Sequence, residues 1–249
     1  MNALLSHFSQ KTLAGMALCA WTIGSQAQVV APISAEGSGV SSLGPFGPSA
    51  FGGLTEQVLF ESSVLGLTAG DVITGIAFRA DSSLGAGGAP PSDLTFATFQ
   101  ITVGQAAVTA ETMTGTFANN FASSTVVRPA TSLTLTAHSF PTGSSPNTFG
   151  PVISFTTPFT YTGGDLVFEF RNPGSSSSLA VDASAGAGEG YGTTHRTFAA
   201  LSPGASSGND SSQSPIIQIQ FTPVPEPATW TLLSGLTLCA FGIVRKMRS

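Results

Sequence analysis

The chain is 249 residues long, with a net charge of −5 and only 8% charged residues against 41% hydrophobic ones. Its cysteines and tryptophans (Cys19, Cys239, Trp21, Trp230) all lie near the two ends, so the body from about Gln28 to Val224 has no thiol for a disulfide or a zinc cluster. That body holds four arginines, twelve acids and no lysine, a balance of about −8 that argues against nucleic acid and anionic membrane as partners and rules out a Schiff-base lysine.

Residues 1–27 read as a secretory signal peptide: Lys11 in a long n-region, a short apolar stretch from Thr12 to Ile23, and small residues before the cut. Ser25 and Ala27 occupy the −3 and −1 positions, which places signal-peptidase cleavage after Ala27. Leu18 precedes Cys19 where lipidation requires a small residue, so a lipoprotein is not expected. Residues 28–55 are rich in Gly, Ser and Pro and read as a loose lead-in or an irregular edge.

From residue 56 to 222, short segments alternate apolar and polar side chains with period two. Ile76 and Phe78 oppose Ala77 and Arg79; Phe99, Ile101 and Val103 oppose Gln100 and Thr102; Leu133 and Leu135 oppose Thr134 and Thr136. Leu166, Phe168 and Phe170 face away from Val167, Glu169 and Arg171, and Ile217, Ile219 and Phe221 away from Gln218 and Gln220. Between them stand turn-forming stretches at 84–91, 141–147, 163–165 and 172–174. No window carries a helical apolar stripe, although Ala118 to Ser124 would tolerate a helical turn. Eight to ten strands without helical crossovers predict an all-β domain: an antiparallel β-sandwich, jelly-roll-like, with phenylalanines between its sheets.

Candidate chemistry is sparse. His138 and His195 stand alone, without the spacing of a zinc site. A Ser-His-Asp triad would be defined in space rather than by spacing, and Gly204-Ala205-Ser206-Ser207-Gly208 is not a nucleophile elbow. Asp165 and Glu169 fall on one strand face and are the carboxylates that glycoside hydrolysis would use. Arg79 and Asp81 read as a surface or sheet-edge ion pair. No cofactor is expected; calcium is the one ion that suits the loops Asp81-Ser82-Ser83 and Asn209-Asp210-Ser211-Ser212, in a structural role.

Residues 223–249 hold three features in order. Pro223, Pro225 and Pro227, with Glu226 among them, keep the chain extended. Ala228 to Val244 is a run of seventeen uncharged residues with Trp230 near its start, and at the rise of a helix it spans about 25 Å, the short end of a transmembrane helix. Arg245, Lys246 and Arg248 then form a basic stop that keeps the C-terminus in the cytoplasm and the body outside. Physically this is either a permanent anchor or a protease-read address.

The order Val224-Pro225-Glu226-Pro227-Ala228, a Trp three residues past Pro227, a short apolar helix and a basic end resembles the PEP-CTERM sorting signal of Gram-negative bacteria that make exopolysaccharide. The resemblance implies cleavage near Pro225, Glu226 and Pro227 by exosortase, a membrane-embedded cysteine protease; the basic end departs from an unbroken arginine run. The body is also similar to a recurrent PEP-CTERM passenger domain, in Gln57-Val58-Leu59-Phe60, Ile73 to Arg79 with Asp81, Thr116 to Asn120, Val126-Val127, Pro158 to Tyr161 and Gly164 to Val167. That likeness implies a secreted β-rich domain without an established activity. The expectation is a non-enzymatic protein, first an inner-membrane-anchored precursor and then at the cell surface or in the extracellular matrix, structural or exopolysaccharide-associated. Its expected partners are signal peptidase, exosortase and exopolysaccharide; the alternatives are a carbohydrate-binding module and a secreted glycoside hydrolase.

Overall fold

A computed structural model describes residues 26–37, 39–42 and 44–224. Most of the leader, with Ser25, and the whole tail, with Pro225, Glu226, Pro227, the 228–244 span, Arg245, Lys246 and Arg248, lie outside the described residues.

Thirteen strands and five short 3₁₀ turns make up the described regular structure, which contains no α-helix. In chain order the strands are β1 (Ala27–Ala31), β2 (Val40–Ser42), β3 (Leu54–Phe60), β4 (Val72–Phe78), β5 (Leu94–Ala106), β6 (Phe121–Leu135) and β7 (Ile153–Thr160). They continue as β8 (Leu166–Asn172), β9 (Val181–Ala185), β10 (His195–Ala200), β11 (Asn209–Asp210), β12 (Gln213–Pro215) and β13 (Ile217–Thr222). Every ladder between them is antiparallel. One sheet runs β1-β13-β4-β7, a second β11-β10-β3-β8-β5-β6, and a small third one β12-β9-β2. None of the described helices is long and apolar enough to cross a membrane.

The alternating residues named above do face one interior. Ile76, Phe78, Ile217, Ile219 and Phe221 from the first sheet pack in the same cluster as Phe99, Ile101, Val103, Leu166, Phe168 and Phe170 from the second. Hydrophobic burial on period-two faces is the force that brings the sheets together. The outer face of the second sheet is covered as well. The connection between β5 and β6 lays Ala110 and Met113 over Leu59 and Val167. In consequence every residue of β3 is buried, polar ones included.

The strands differ from the expected eight to ten at both extremes. β2, β11 and β12 have two or three residues each, too few for a periodic pattern. β6 is fifteen residues long and mostly exposed, so its Ser/Thr-rich half shows no apolar alternation. The helical turn near Ala118 is a 3₁₀ turn at Phe117–Asn120, followed at once by β6.

The stretch 28–55 is built into the fold rather than loosely attached. β1 pairs with β13, β2 with β9, and β3 already starts at Leu54. Phe46 is fully buried at the centre of the core, its ring 4.9 Å from Phe78 and 5.9 Å from both Phe96 and Phe99. Aromatic contacts at these distances are favourable beyond their area, which anchors a segment rich in Gly, Ser and Pro. Ala27 faces Phe221 across the β1–β13 ladder, so the start of β1 and the end of β13 lie side by side.

Candidate functional site

Four polar clusters, three buried and one at the surface, gather most of the chemistry-bearing side chains. The first surrounds His195 at the start of β10. Its Nε2 shares a 2.8 Å hydrogen bond with Ser184 Oγ of β9, and its Nδ1 lies 3.3 Å from Thr194 Oγ1. Phe60 stacks on the imidazole and Tyr191 meets it edge-on. Burial pushes the imidazole down to about 4, with Glu189 pulling the other way, so the ring is neutral at neutral pH. A serine hydrogen-bonded to a neutral histidine is a nucleophile–base pairing in outline. Here both residues have no exposed surface and the third partner is a threonine hydroxyl, so no substrate reaches Ser184. One strand pair along, Thr197 Oγ1 and Ser214 Oγ share a 2.7 Å bond. Together these bonds stitch the small sheet onto β10. Ser184→Ala is expected to cost about 1–3 kcal/mol, because it strands a buried ring nitrogen, and to lower the melting temperature by several degrees in a thermal scan.

The second cluster corrects the reading of Arg79. This arginine is buried, and its Nε lies 2.7 Å from Asp182 Oδ2 of β9, not against Asp81. Its terminal nitrogens donate to the carbonyls of Glu36 and Ala35 at 2.5 and 3.1 Å, and the guanidinium sits 5.5 Å from the centre of the Phe149 ring. Arg79 therefore ties the N-terminal segment to the end of β4 and to β9. Sequence proximity favoured Asp81; the antiparallel crossing of β9 brought Asp182 instead. Burial raises the Asp182 carboxyl above its ordinary range, despite the Ser82 amide and Arg79. For Asp81 burial acts in the same direction, but donors from Ser41 and Ser83 outweigh it and hold the group low.

The third cluster covers the outer face of β3 and β8. Gln57 Nε2 donates to Glu169 Oε2 at 2.8 Å, Asn120 Nδ2 donates to Gln57 Oε1 at 2.9 Å, and Arg171 Nε donates to Glu169 Oε1 at 2.6 Å. Asp165 lies before β8 and accepts the Ser62 amide at 2.8 Å. The two carboxylates considered for hydrolysis thus sit in separate networks, and Glu169 is 6% exposed. Sequence periodicity placed Glu169 and Arg171 outward correctly, but not the covering connection that encloses Glu169.

In the fourth, Asp210 Oδ2 accepts from Arg196 Nη2 at 2.6 Å and Asp210 Oδ1 from the Ser212 amide at 2.9 Å, while Tyr191 Oη also donates to Asp210. In the loops considered for calcium, Asp81 accepts the Ser83 amide through Oδ1, and Asp210 accepts from Arg196, Tyr191 and Ser212. Among the described residues no three His, Cys, Asp or Glu side chains are grouped to hold a metal. His138 is exposed, away from any such group, with Nδ1 3.3 Å from the Gly88 carbonyl.

One acid fits none of these networks. Glu56 in β3 is 4% exposed, and its Oε2 has no hydrogen-bond partner. Burial alone pushes this carboxyl up to about 8, so it is protonated at neutral pH.

Shallow clefts lie on the surface of the described residues. One, about 60 Å³, lies among Pro48, Phe51, Leu54 and Leu201 and is apolar. Another, about 190 Å³, lies among Gln28, Val29, Val30, Ile33, Glu36 and Gln218, beside the edge strand β1. No family model, curated protein or solved structure matches the chain.

Proposed function

We propose that the protein is exported, held first in the inner membrane by its C-terminal segment, and released by exosortase to the cell surface or extracellular matrix. There it acts as a structural or exopolysaccharide-associated component built on one jelly-roll-like β-sandwich. The observation that carries this reading is the C-terminal order of features: Pro225-Glu226-Pro227, an uncharged 228–244 run, then Arg245, Lys246 and Arg248. The signal-peptide pattern ending at Ala27 agrees with it, because export followed by a stop-transfer segment leaves the body outside. With cleavage after Ala27, the pairing of Gln28 with Gln220 sets the new N-terminus beside the C-terminal stem.

The test is a blot of cell fractions from otherwise identical strains with and without exosortase. Loss of exosortase is expected to leave a larger, membrane-bound form in place of the smaller extracellular one. Unchanged size and location would overturn the sorting reading.

A carbohydrate-binding module is the second reading. In its favour is the cleft beside β1, where Gln28, Gln218 and Glu36 offer donors and acceptors suited to sugar hydroxyls. Against it, the body has no tryptophan to stack on a sugar ring. No retention of the purified protein on the producer's own polysaccharide would dispose of this reading.

A further inference from the structure

The body keeps hold of its own stem up to the residue before the sorting motif. Thr222, the last residue of β13, still pairs with Val72 of β4. Two residues later the Val224 amide donates to Asp71 Oδ1 at 3.1 Å. That acceptor is rigidly placed: Asp71 is 3% exposed, and its Oδ2 accepts the Thr68 amide at 2.8 Å. The Asp71 backbone is fixed too, its amide donating to Thr68 O at 3.0 Å and its carbonyl accepting from the Tyr161 amide at 2.8 Å. Gly70 completes the seat. It has φ +98°, and a Cβ there would stand 2.5 Å from Val224 Cγ2, so glycine is what allows the valine to lie across this turn. Pro225 is the next residue in the sequence.

A protease groove that reads an extended strip engages residues on both sides of the cut, through main-chain bonds and alternate side chains. Upstream of this motif those groups are taken. Phe221 and Thr222 belong to the ladder, Pro223 has no N–H, and Val224 is bonded to Asp71. We propose that Gly70 and Asp71 form a clasp on the stem, and that its opening limits the rate at which the tail is removed. This rests on the reading of the tail as a processed signal. The cut itself is a peptide hydrolysis, consuming one water and leaving a carboxyl on the body and an amine on the tail; the clasp only controls access to that bond.

The test is a pulse-chase of the full-length chain in the exosortase-bearing strain, with two variants. Inserting Gly-Ser-Gly-Ser between Val224 and Pro225 leaves every body residue and the clasp in place but moves the motif away from the body. Asp71→Ala removes the acceptor. Asp71→Ala is expected to shorten the processing half-time by about two- to tenfold, the population gain from losing one hydrogen bond of ordinary strength, and the insertion, which frees the motif without opening the clasp, to shorten it at least as much. A tail that is cut in the wild type, with the insertion leaving the half-time unchanged, overturns the clasp. Acceleration by Asp71→Ala without acceleration by the insertion also overturns it, since that pattern reports a weakened body. A wild-type tail that is never cut sinks the sorting reading, and the clasp's role falls with it. Amide exchange on the detergent-solubilised full chain adds a readout independent of the protease: protection of the Val224 amide in the wild type and its loss in Asp71→Ala are expected, and an unprotected wild-type amide overturns the clasp.

Discussion

Glu56→Gln stabilises the protein by about 3 kcal/mol at pH 7 and changes the shape of its stability–pH profile. The reason is linkage. Glu56 is held at about 8 in the fold against an ordinary value of 4.5, so between those limits the folded state binds more protons than the unfolded one and stability falls as pH rises. His195 acts in the opposite sense. Held at about 4 against an ordinary 6.5, it leaves the unfolded state with more bound protons between those limits, so its contribution rises with pH and is complete above 6.5. The two slopes cancel between about pH 4.5 and 6.5, and only the Glu56 slope remains from there to about pH 8. The wild-type protein is therefore expected to lose about 2 kcal/mol between pH 6.5 and 8, while Glu56→Gln is flat over that range. Urea unfolding at half-unit pH steps measures both curves. Parallel curves for the two proteins would refute the assignment.

Phe46→Ala is expected to destabilise the protein by about 3–5 kcal/mol, as large as any single core truncation. Phe46 lies in a stretch rich in Gly, Ser and Pro, yet its ring meets Phe78, Phe96, Phe99 and Phe140 at once. Truncation removes those contacts and leaves a cavity that strands on both sides cannot close without shifting. The nearby Phe51 is half exposed, and Phe51→Ala serves as the matched control, with a cost of about 0.5 kcal/mol or less in the same urea titration. Equal losses in the two variants would mean that the N-terminal segment is loosely attached after all.

What was legible before any coordinates followed from periodicity. A side chain repeats its face every two residues along a strand, so Phe99, Ile101 and Val103, or Leu166, Phe168 and Phe170, mark the core by themselves. Where that local rule gave out, long-range pairing decided. Arg79 has Asp81 two residues away in sequence but meets Asp182, since β9 crosses beside the end of β4. Glu169 looks outward by alternation, yet the connection carrying Asn120 closes over it. His195 and Ser184 come within hydrogen-bonding distance because β9 and β10 belong to different sheets that face each other, a relation no spacing encodes.

Sequence alone settled the all-β class, the inward faces of the main strands and the body's acidic, lysine-free balance, since each depends on composition or on a period of two. Only the tertiary structure decided which charges are paired, which acid is buried without a partner, that the Gly/Ser/Pro-rich segment carries a central core residue, and that the stem is gripped at Val224. The physical reason is the same in each case. Burial and pairing depend on chain segments far apart in sequence, and an antiparallel fold sets those distances through its order of strands.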